Sequence, residues 1–291
     1  MDAQLTIVDV TGSTNDDLLE AGKQGAPHGT GLAASAQTAG RGRRGHKWDS
    51  TAGNLLLSIV LRPCVNPAKY SGLAAVSGLA VLEALEKQGL AIEIGLKWPN
   101  DLVARGRKLG GILVEAARDN EGKPFAVCGI GVNVNYTPQE VPDGGLAAIG
   151  LSDLNESVPA VDMLLDEVYH AVIDAVDTWA ERLNAMEENA GPLAPVHDEY
   201  IAHLNWIGKH VIARSPAGDE LARGIFRTVD DCGRACIETE SGLCVFHFEE
   251  ASLRPLSEEG AAAAGSADEF AIPKSKLKTK GPRYRNGSGA L

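Results

Sequence analysis

The chain has 291 residues, 44% of them hydrophobic, and a formal net charge of -12. That length points to about two domains, and the apolar content can build a real core. No apolar run reaches the ~18 residues of a membrane-crossing helix, and Met1-Asp2-Ala3-Gln4 lacks the basic and apolar parts of an export signal, so the five cysteines predict reduced thiols in a cytoplasmic chain.

The first polar cluster is Ser13-Thr14-Asn15-Asp16-Asp17. Small polar residues followed by two acids predict a capped helix N-terminus, which also attracts anions. Residues 37–48 then read Gln-Thr-Ala-Gly-Arg-Gly-Arg-Arg-Gly-His-Lys-Trp. Gly40, Gly42 and Gly45 let a ligand approach the main chain and its N–H groups. Arg41, Arg43 and Arg44 add positive charge suited to carboxylate or phosphate. Trp48 offers a flat face for an adenine. In an acidic chain this loop predicts a small anionic ligand, a nucleotide; a solvated basic hairpin is the plainer alternative. His46 reads as solvent-exposed.

The same glycines spell G-x-G-x-x-G, but a dinucleotide-binding turn needs a helix opening at the motif and an acid about 20 residues on. Here 54–61 is a strand pattern, and positions 62–70 carry no acid. Residues 71–88 have a helical pattern. Lys97-Trp98-Pro99-Asn100-Asp101 ends in turn chemistry, which sets its polar groups where a strand stops. For Asp101 a turn cap is the alternative to a chemical role. Arg105-Gly106-Arg107 predicts a hairpin turn, after which Lys108 enters a strand containing Gly110 and Gly111. Residues 126–135 form another apolar strand, with Gly129 and Gly131. Glycine weakens a strand interior, so its repeated use predicts close approach of a ligand or another strand.

Residues 159–183 predict an amphipathic helix with Met163, Leu164, Val168, Val172 and Val176 on one core-facing stripe. Residues 207–256 change to short strands punctuated by Pro216-Ala217-Gly218, Asp231-Cys232-Gly233 and Ser241-Gly242. Cys232, Cys236, Cys244 and His247 lie in this alternating pattern with an unusual C-x₃-C spacing, which argues against a zinc site. Residues 257–291 are rich in Ala, Gly and Ser, then basic from Lys274 onward, with six Lys or Arg and no acid. They predict a disordered tail.

Five segments in order resemble the biotin–protein ligase family, whose enzymes attach biotin to carboxylase carrier proteins. They are Ser13-Thr14-Asn15, the 37–48 loop, the 97–101 segment, Arg107-Lys108-Leu109-Gly110-Gly111-Ile112-Leu113-Val114-Glu115, and Gly129-Ile130-Gly131-Val132-Asn133. Weaker similarity continues to about residue 256. The resemblance implies an α+β fold: a mixed β-sheet with flanking helices, of the class II synthetase type, over 1–205. A small SH3-like β-barrel follows over 207–256. It also implies ATP and biotin as substrates, Mg²⁺, a biotinyl-adenylate intermediate and a carboxyl carrier protein as acceptor.

By the same resemblance, Ser13, Thr14, Asn15, Gln37, Gly40, Arg41, Gly42, Arg43, Lys108 and Gly111 bind biotin. Arg43, Trp48, Asn100, Lys108 and Asn133 bind the nucleotide. Lys108, Arg43, Lys97 and Asp101 carry the chemistry, with Asp101 the candidate base for the acceptor amine. No protein-held metal site is expected. Because the adenylate is water-sensitive, residues 40–45 are expected to order on ligand binding. Some family members carry a DNA-binding domain ahead of the catalytic one. Ser13 stands near the start here, so a monofunctional ligase without specific DNA binding is expected. Family members dimerise variably through an exposed sheet, which leaves a homodimer open. The alternatives are a lipoate or octanoate ligase or transferase of the same fold, and a non-catalytic biotin or nucleotide sensor.

Overall fold

The structure, a computed structural model, describes residues 4–90, 94–138, 145–155 and 157–256. Its main sheet has seven strands in the order β1-β2-β3-β7-β6-β5-β4. They are β1 Leu5–Thr11, β2 Gly31–Gln37, β3 Leu55–Leu61, β4 Ile94–Lys97, β5 Asp101–Ala104, β6 Arg107–Arg118 and β7 Pro124–Val132. β1 and β2 run parallel and every other pairing is antiparallel. The parallel pair is joined by α1 (Thr14–Lys23), as a crossover requires.

β3 is buried along its whole length, so both faces of the sheet must be covered. Leu55, Leu57, Ile59 and Leu61 join Ala126, Cys128, Ile130 and Val132 in the cluster that includes α2 (Leu73–Lys87) and α3 (Val161–Asn184). Val60, Phe125 and Val127 pack with Leu18 of α1 on the other side. The two-residue period of the strands therefore sorts each side chain onto one face. Register puts Gly111 opposite Gly131, Leu113 opposite Gly129 and Glu115 opposite Val127, so these glycines lie on the α1 face. The α1 face thus carries no side chain at the Gly111–Gly131 pair and only that of Leu113 at the next pair.

The expected helix at 71–88 is α2, preceded by a 3₁₀ turn at Pro67–Gly72. The expected amphipathic helix is α3, with Leu164, Val168, Val172 and Val176 buried. Met163 is a correction to the stripe: it is 59% exposed. The buried arc turns the other way, toward Leu165, Tyr169, Trp179 and Leu183, because those residues flank the i, i+4 row on the side away from Met163. Arg105 and Gly106 both have positive φ, 48° and 71°, the geometry of a two-residue hairpin turn.

After α4 (His197–His203) come β8 His210–Arg214, β9 Glu220–Val229, β10 Ala235–Thr239, β11 Gly242–Phe246 and β12 Ser252–Pro255. They make an antiparallel, barrel-like sheet in the order β11-β10-β9-β8-β12. Its Val211, Ala213, Phe226, Val229, Ala235, Ile237 and Leu253 belong to the same core cluster as the main sheet. Both sheets lie in one compact unit ending at Pro255. Trp98, 2% exposed, donates its ring N–H to Gly233 O at 3.0 Å across the join. The tail expected over 257–291 lies outside the described residues.

Candidate active site

Ser13 is the N-cap of α1, its hydroxyl accepting from Asp16 N at 3.4 Å. The expected helix start is therefore present, with the cap one residue before Thr14. Ser13, Thr14 and Asn15 are all buried, so each polar atom needs a partner. Gln37 Oε1 accepts from Thr14 N at 2.7 Å and from the Thr14 hydroxyl at 3.1 Å. Ser58 Oγ lies 2.7 Å from Thr14 Oγ1 and 2.6 Å from Asn15 Oδ1. Gln37 Nε2 donates to Ser50 Oγ, whose hydroxyl reaches Trp48 O at 3.2 Å. A continuous polar chain thus joins α1 to the base of the arginine loop.

Asn15 occupies space that glycine leaves: a Cβ on Gly129 would sit 2.2 Å from Asn15 Oδ1. Asn15 Nδ2 donates to Glu115 Oε2 at 2.9 Å. The same carboxylate takes a two-pronged grip on Arg41, with Nη1 to Oε1 at 3.0 Å and Nη2 to Oε2 at 2.9 Å. Arg41 Nε also donates to Asp16 at 3.2 Å. The Arg41 guanidinium is therefore engaged by protein carboxylates. The Glu115 hydrogen bond, set against partial burial and joined by Asp16, raises its already high pKa.

The loop is a closed hairpin. Arg41 and Lys47 form a bridge, Gly42 N donates to His46 O at 2.6 Å, and Trp48 N donates to Gly40 O at 3.0 Å. Gly40 is packed so closely that a Cβ would meet Ser50 Oγ at 2.2 Å. A short 3₁₀ turn spans Arg43–Gly45, with Arg44 left-handed at φ 57°, a conformation that costs a non-glycine residue about 1–2 kcal/mol. His46 is exposed, as expected. The Trp48 indole lies on the bare strand, where a Cβ on Gly131 would meet its Cε2 at 2.6 Å. Among the described residues its buried Nε1 has no hydrogen-bond partner.

Lys97, Asp101 and Lys108 meet beside this floor. Lys97 Nζ is 2.8 Å from Asp101 Oδ2, and Lys108 Nζ is 2.7 Å from Asp101 Oδ1. The β4–β5 turn brings Lys97 and Asp101 together as register partners. Gly111 is the Asp101 partner on β6, and a Cβ there would stand in ordinary contact with the Lys108 side chain, at 3.6 Å. Lys108 Nζ also stands 5.4 Å from the Trp48 ring centre. Burial pushes the Asp101 carboxyl up, but Lys97 and then Lys108 outweigh it, and the net shift is well below the usual carboxylate range. Burial pushes Lys97 down against the pull of Asp101. Asp101 is therefore an ionised, weakly basic carboxylate shared by two cations, not the turn cap that remained open from sequence.

Arg43 reaches the same corner, donating to Asn100 Oδ1 at 3.1 Å and to Phe248 O at 2.8 Å. Burial and then the neighbouring Arg44 charge lower its pKa. Asn100 Nδ2 holds Ile112 O at 2.8 Å. Asn133 is 2% exposed; its Nδ2 donates to Ile149 O at 3.2 Å, while its Oδ1 has no hydrogen-bond partner among the described residues. Such an orphaned buried acceptor requires an account.

Sequence reasoning missed Ser58, Ser50, a role for Glu115, and the turn around Phe248. Ser58 alone left a trace, as a hydroxyl inside an aliphatic strand. The Phe248 turn lies about 200 positions from the arginines it meets, and nothing local marks it.

Residues 7–135 match the Biotin/lipoate A/B protein ligase family and residues 206–256 match the Biotin protein ligase C terminal domain. A biotin–[acetyl-CoA-carboxylase] ligase of Mycobacterium tuberculosis is 38% identical over 242 residues, 81% of this chain and 83% of that protein. One from Paracoccus denitrificans is 33% identical over 240 residues, 80% and 93% of the two chains. The structure of biotin protein ligase from Aquifex aeolicus in complex with biotin and ATP matches with a TM-score of 0.71 at 28% identity, covering 87% of this chain and 99% of that one.

Proposed function

The chain belongs to the biotin–protein ligase family, and from that membership and the site geometry we propose that it activates biotin with ATP as biotinyl-5′-AMP and passes the biotinyl group to a lysine of a biotin carboxyl carrier protein. The observation that carries the chemistry is the Lys97–Asp101–Lys108 triad beside the glycine floor and Trp48.

In the first step a biotin carboxylate oxygen bonds to the α-phosphorus of ATP and the bond to pyrophosphate breaks. Two anions must meet, so fixed cations lower the barrier. Lys108 carries one ammonium within reach of both Asp101 and the Trp48 ring, and Arg43 brings a second charge from the loop. Lys97 stays buried on Asp101, so the carboxylate remains paired when Lys108 turns to substrate. Trp48, seated on Gly131, offers its other face to the adenine. We assign biotin to the polar chain of Ser13, Thr14, Asn15 and Gln37, with Gly40, Gly42 and Gly111 admitting it to the backbone. Arg41, engaged by Glu115 and Asp16, contributes a fixed loop base.

In the second step the acceptor amine attacks the acyl carbon, the C–O bond to AMP breaks, and the amine sheds a proton. A free lysine has a pKa of about 10.4. The Lys97 and Lys108 charges favour its neutral form. Asp101 keeps unused lone pairs that can orient the N–H, but its depressed pKa makes it a weak base.

Mg²⁺ is assigned with the triphosphate. The orphaned Asn133 Oδ1 is a hard oxygen of the kind Mg²⁺ takes. Bound there, the ion would screen phosphate charge. We place the reaction in the cytoplasm, without specific DNA recognition, with a homodimer through the main sheet as one assembly. We keep 1–205 as the catalytic domain and 207–256 as the second. The arginine loop, closed as a hairpin before any ligand binds, covers the adenylate and shields it from water. Biotin-dependent exchange of labelled pyrophosphate into ATP tests the reading; exchange with lipoate or octanoate and none with biotin would overturn it.

A further inference from the structure

Two of the three loop arginines point to the second sheet. The turn between β11 and β12 is closed by Glu250 N and Ala251 N, both donating to His247 O at 3.0 and 3.2 Å. Arg44 Nη2 lies 3.0 Å from Phe248 O, 2.9 Å from Glu249 O and 3.5 Å from Ala251 O. Carbonyls at the end of such a turn carry partial negative charge and attract a guanidinium. Arg43 donates to the same Phe248 O at 2.8 Å, and its guanidinium lies 5.2 Å from the Phe248 ring centre. The two arginines differ in their other contacts: Arg43 also holds Asn100 Oδ1, whereas among the described residues the Arg44 side chain hydrogen-bonds to the turn alone. The left-handed backbone at Arg44 is a strained feature of the kind retained where a specific contact requires it.

We propose that Arg44 is a positioning residue: by gripping the carbonyls of Phe248, Glu249 and Ala251, it fastens the 40–48 loop to the second sheet and so keeps the adenylate enclosed. The inference rests on the ligase reading for its consequence, but its structural half stands alone. Pyrophosphate exchange needs only the reacting atoms and Arg43, Lys97 and Lys108. Retention of the intermediate needs the loop to stay down, which the grip of Arg44 on the second sheet provides.

The test uses the full chain with Arg44→Ala and Arg44→Lys. Arg44 is exposed, so both variants should fold. In the ligand-free protein, hydrogen–deuterium exchange at the 42–48 amides should rise about tenfold in Arg44→Ala, as expected for loss of charged hydrogen bonds. Exchange at 249–252 should rise with it, which a role confined to the loop would not produce. With biotin and ATP, the rate of pyrophosphate exchange should stay within about twofold, while adenylate released to solution rises about tenfold. Arg44→Lys, which keeps the charge but loses the fork, should restore part of the retention. Unchanged amide exchange at both segments, or unchanged adenylate retention, would overturn the proposal. Absence of biotin-dependent exchange in the parent chain would overturn the ligase reading instead, and the amide measurements would still decide the contact.

Discussion

Lys108 and Lys97 share one carboxylate but differ in exposure. The Lys108 side chain is 32% exposed and Lys97 only 6%. The exposed partner can turn to substrate and the buried one cannot. Lys108→Ala should therefore cut adenylate formation by roughly 10²–10³, about 3–4 kcal/mol, the loss expected for one charge-stabilising donor. Single-turnover adenylation measures this, and a rate near the parent value would move the chemistry elsewhere. Asp101→Asn acts through stability instead. It leaves Lys97 buried without its partner, which costs about 3–5 kcal/mol. The folded Asp101 ionises below the unfolded value of about 3.9, so its contribution is in place above that value and is lost as pH falls through the folded one. Urea midpoints of parent and variant should differ most near neutrality and draw together as the pH falls below the unfolded value. A gap that widens in acid would mean the carboxylate is not held ionised by the lysines.

Each glycine on the β7 floor makes room for one specific side chain. Gly129 faces Asn15 and Gly131 faces Trp48. Gly129→Ala should raise the biotin KM about tenfold with little change for ATP, and Gly131→Ala should do the reverse, since each Cβ displaces one ligand-facing group. Pyrophosphate-exchange kinetics separate the two, and the same ligand failing in both variants would contradict the floor assignment. On α3, Leu164→Ala should cost about 2–5 kcal/mol by denaturant unfolding, while Met163→Gln stays within about 0.5 kcal/mol. The reverse order would restore the stripe read from sequence. A 3.6-residue period locates a stripe but not its edge, and Met163 and Leu165 flank Leu164 equally in sequence. Packing against α2 and the main sheet chose Leu165.

For the whole molecule, strands, turns and ordered motifs were legible because alternation, paired glycines and turn residues act locally. The convergence of Lys97, Asp101 and Lys108 followed from two adjacent hairpins. What could not be read came from register and from distance. Ser58 meets Thr14 and Asn15 only because β3 places it on the α1 face. Arg41 looked free for a ligand until β6 set Glu115 against it. The Phe248 turn reaches the loop only through the packing of one sheet on the other. The central claim is that this assembly activates biotin through an adenylate. Exchange of labelled pyrophosphate into ATP, with biotin, lipoate or octanoate supplied in turn, tests it most directly. Exchange that depends on biotin and falls about 10²–10³-fold in Lys108→Ala is the expected result. Exchange that responds to lipoate or octanoate and not to biotin would contradict it.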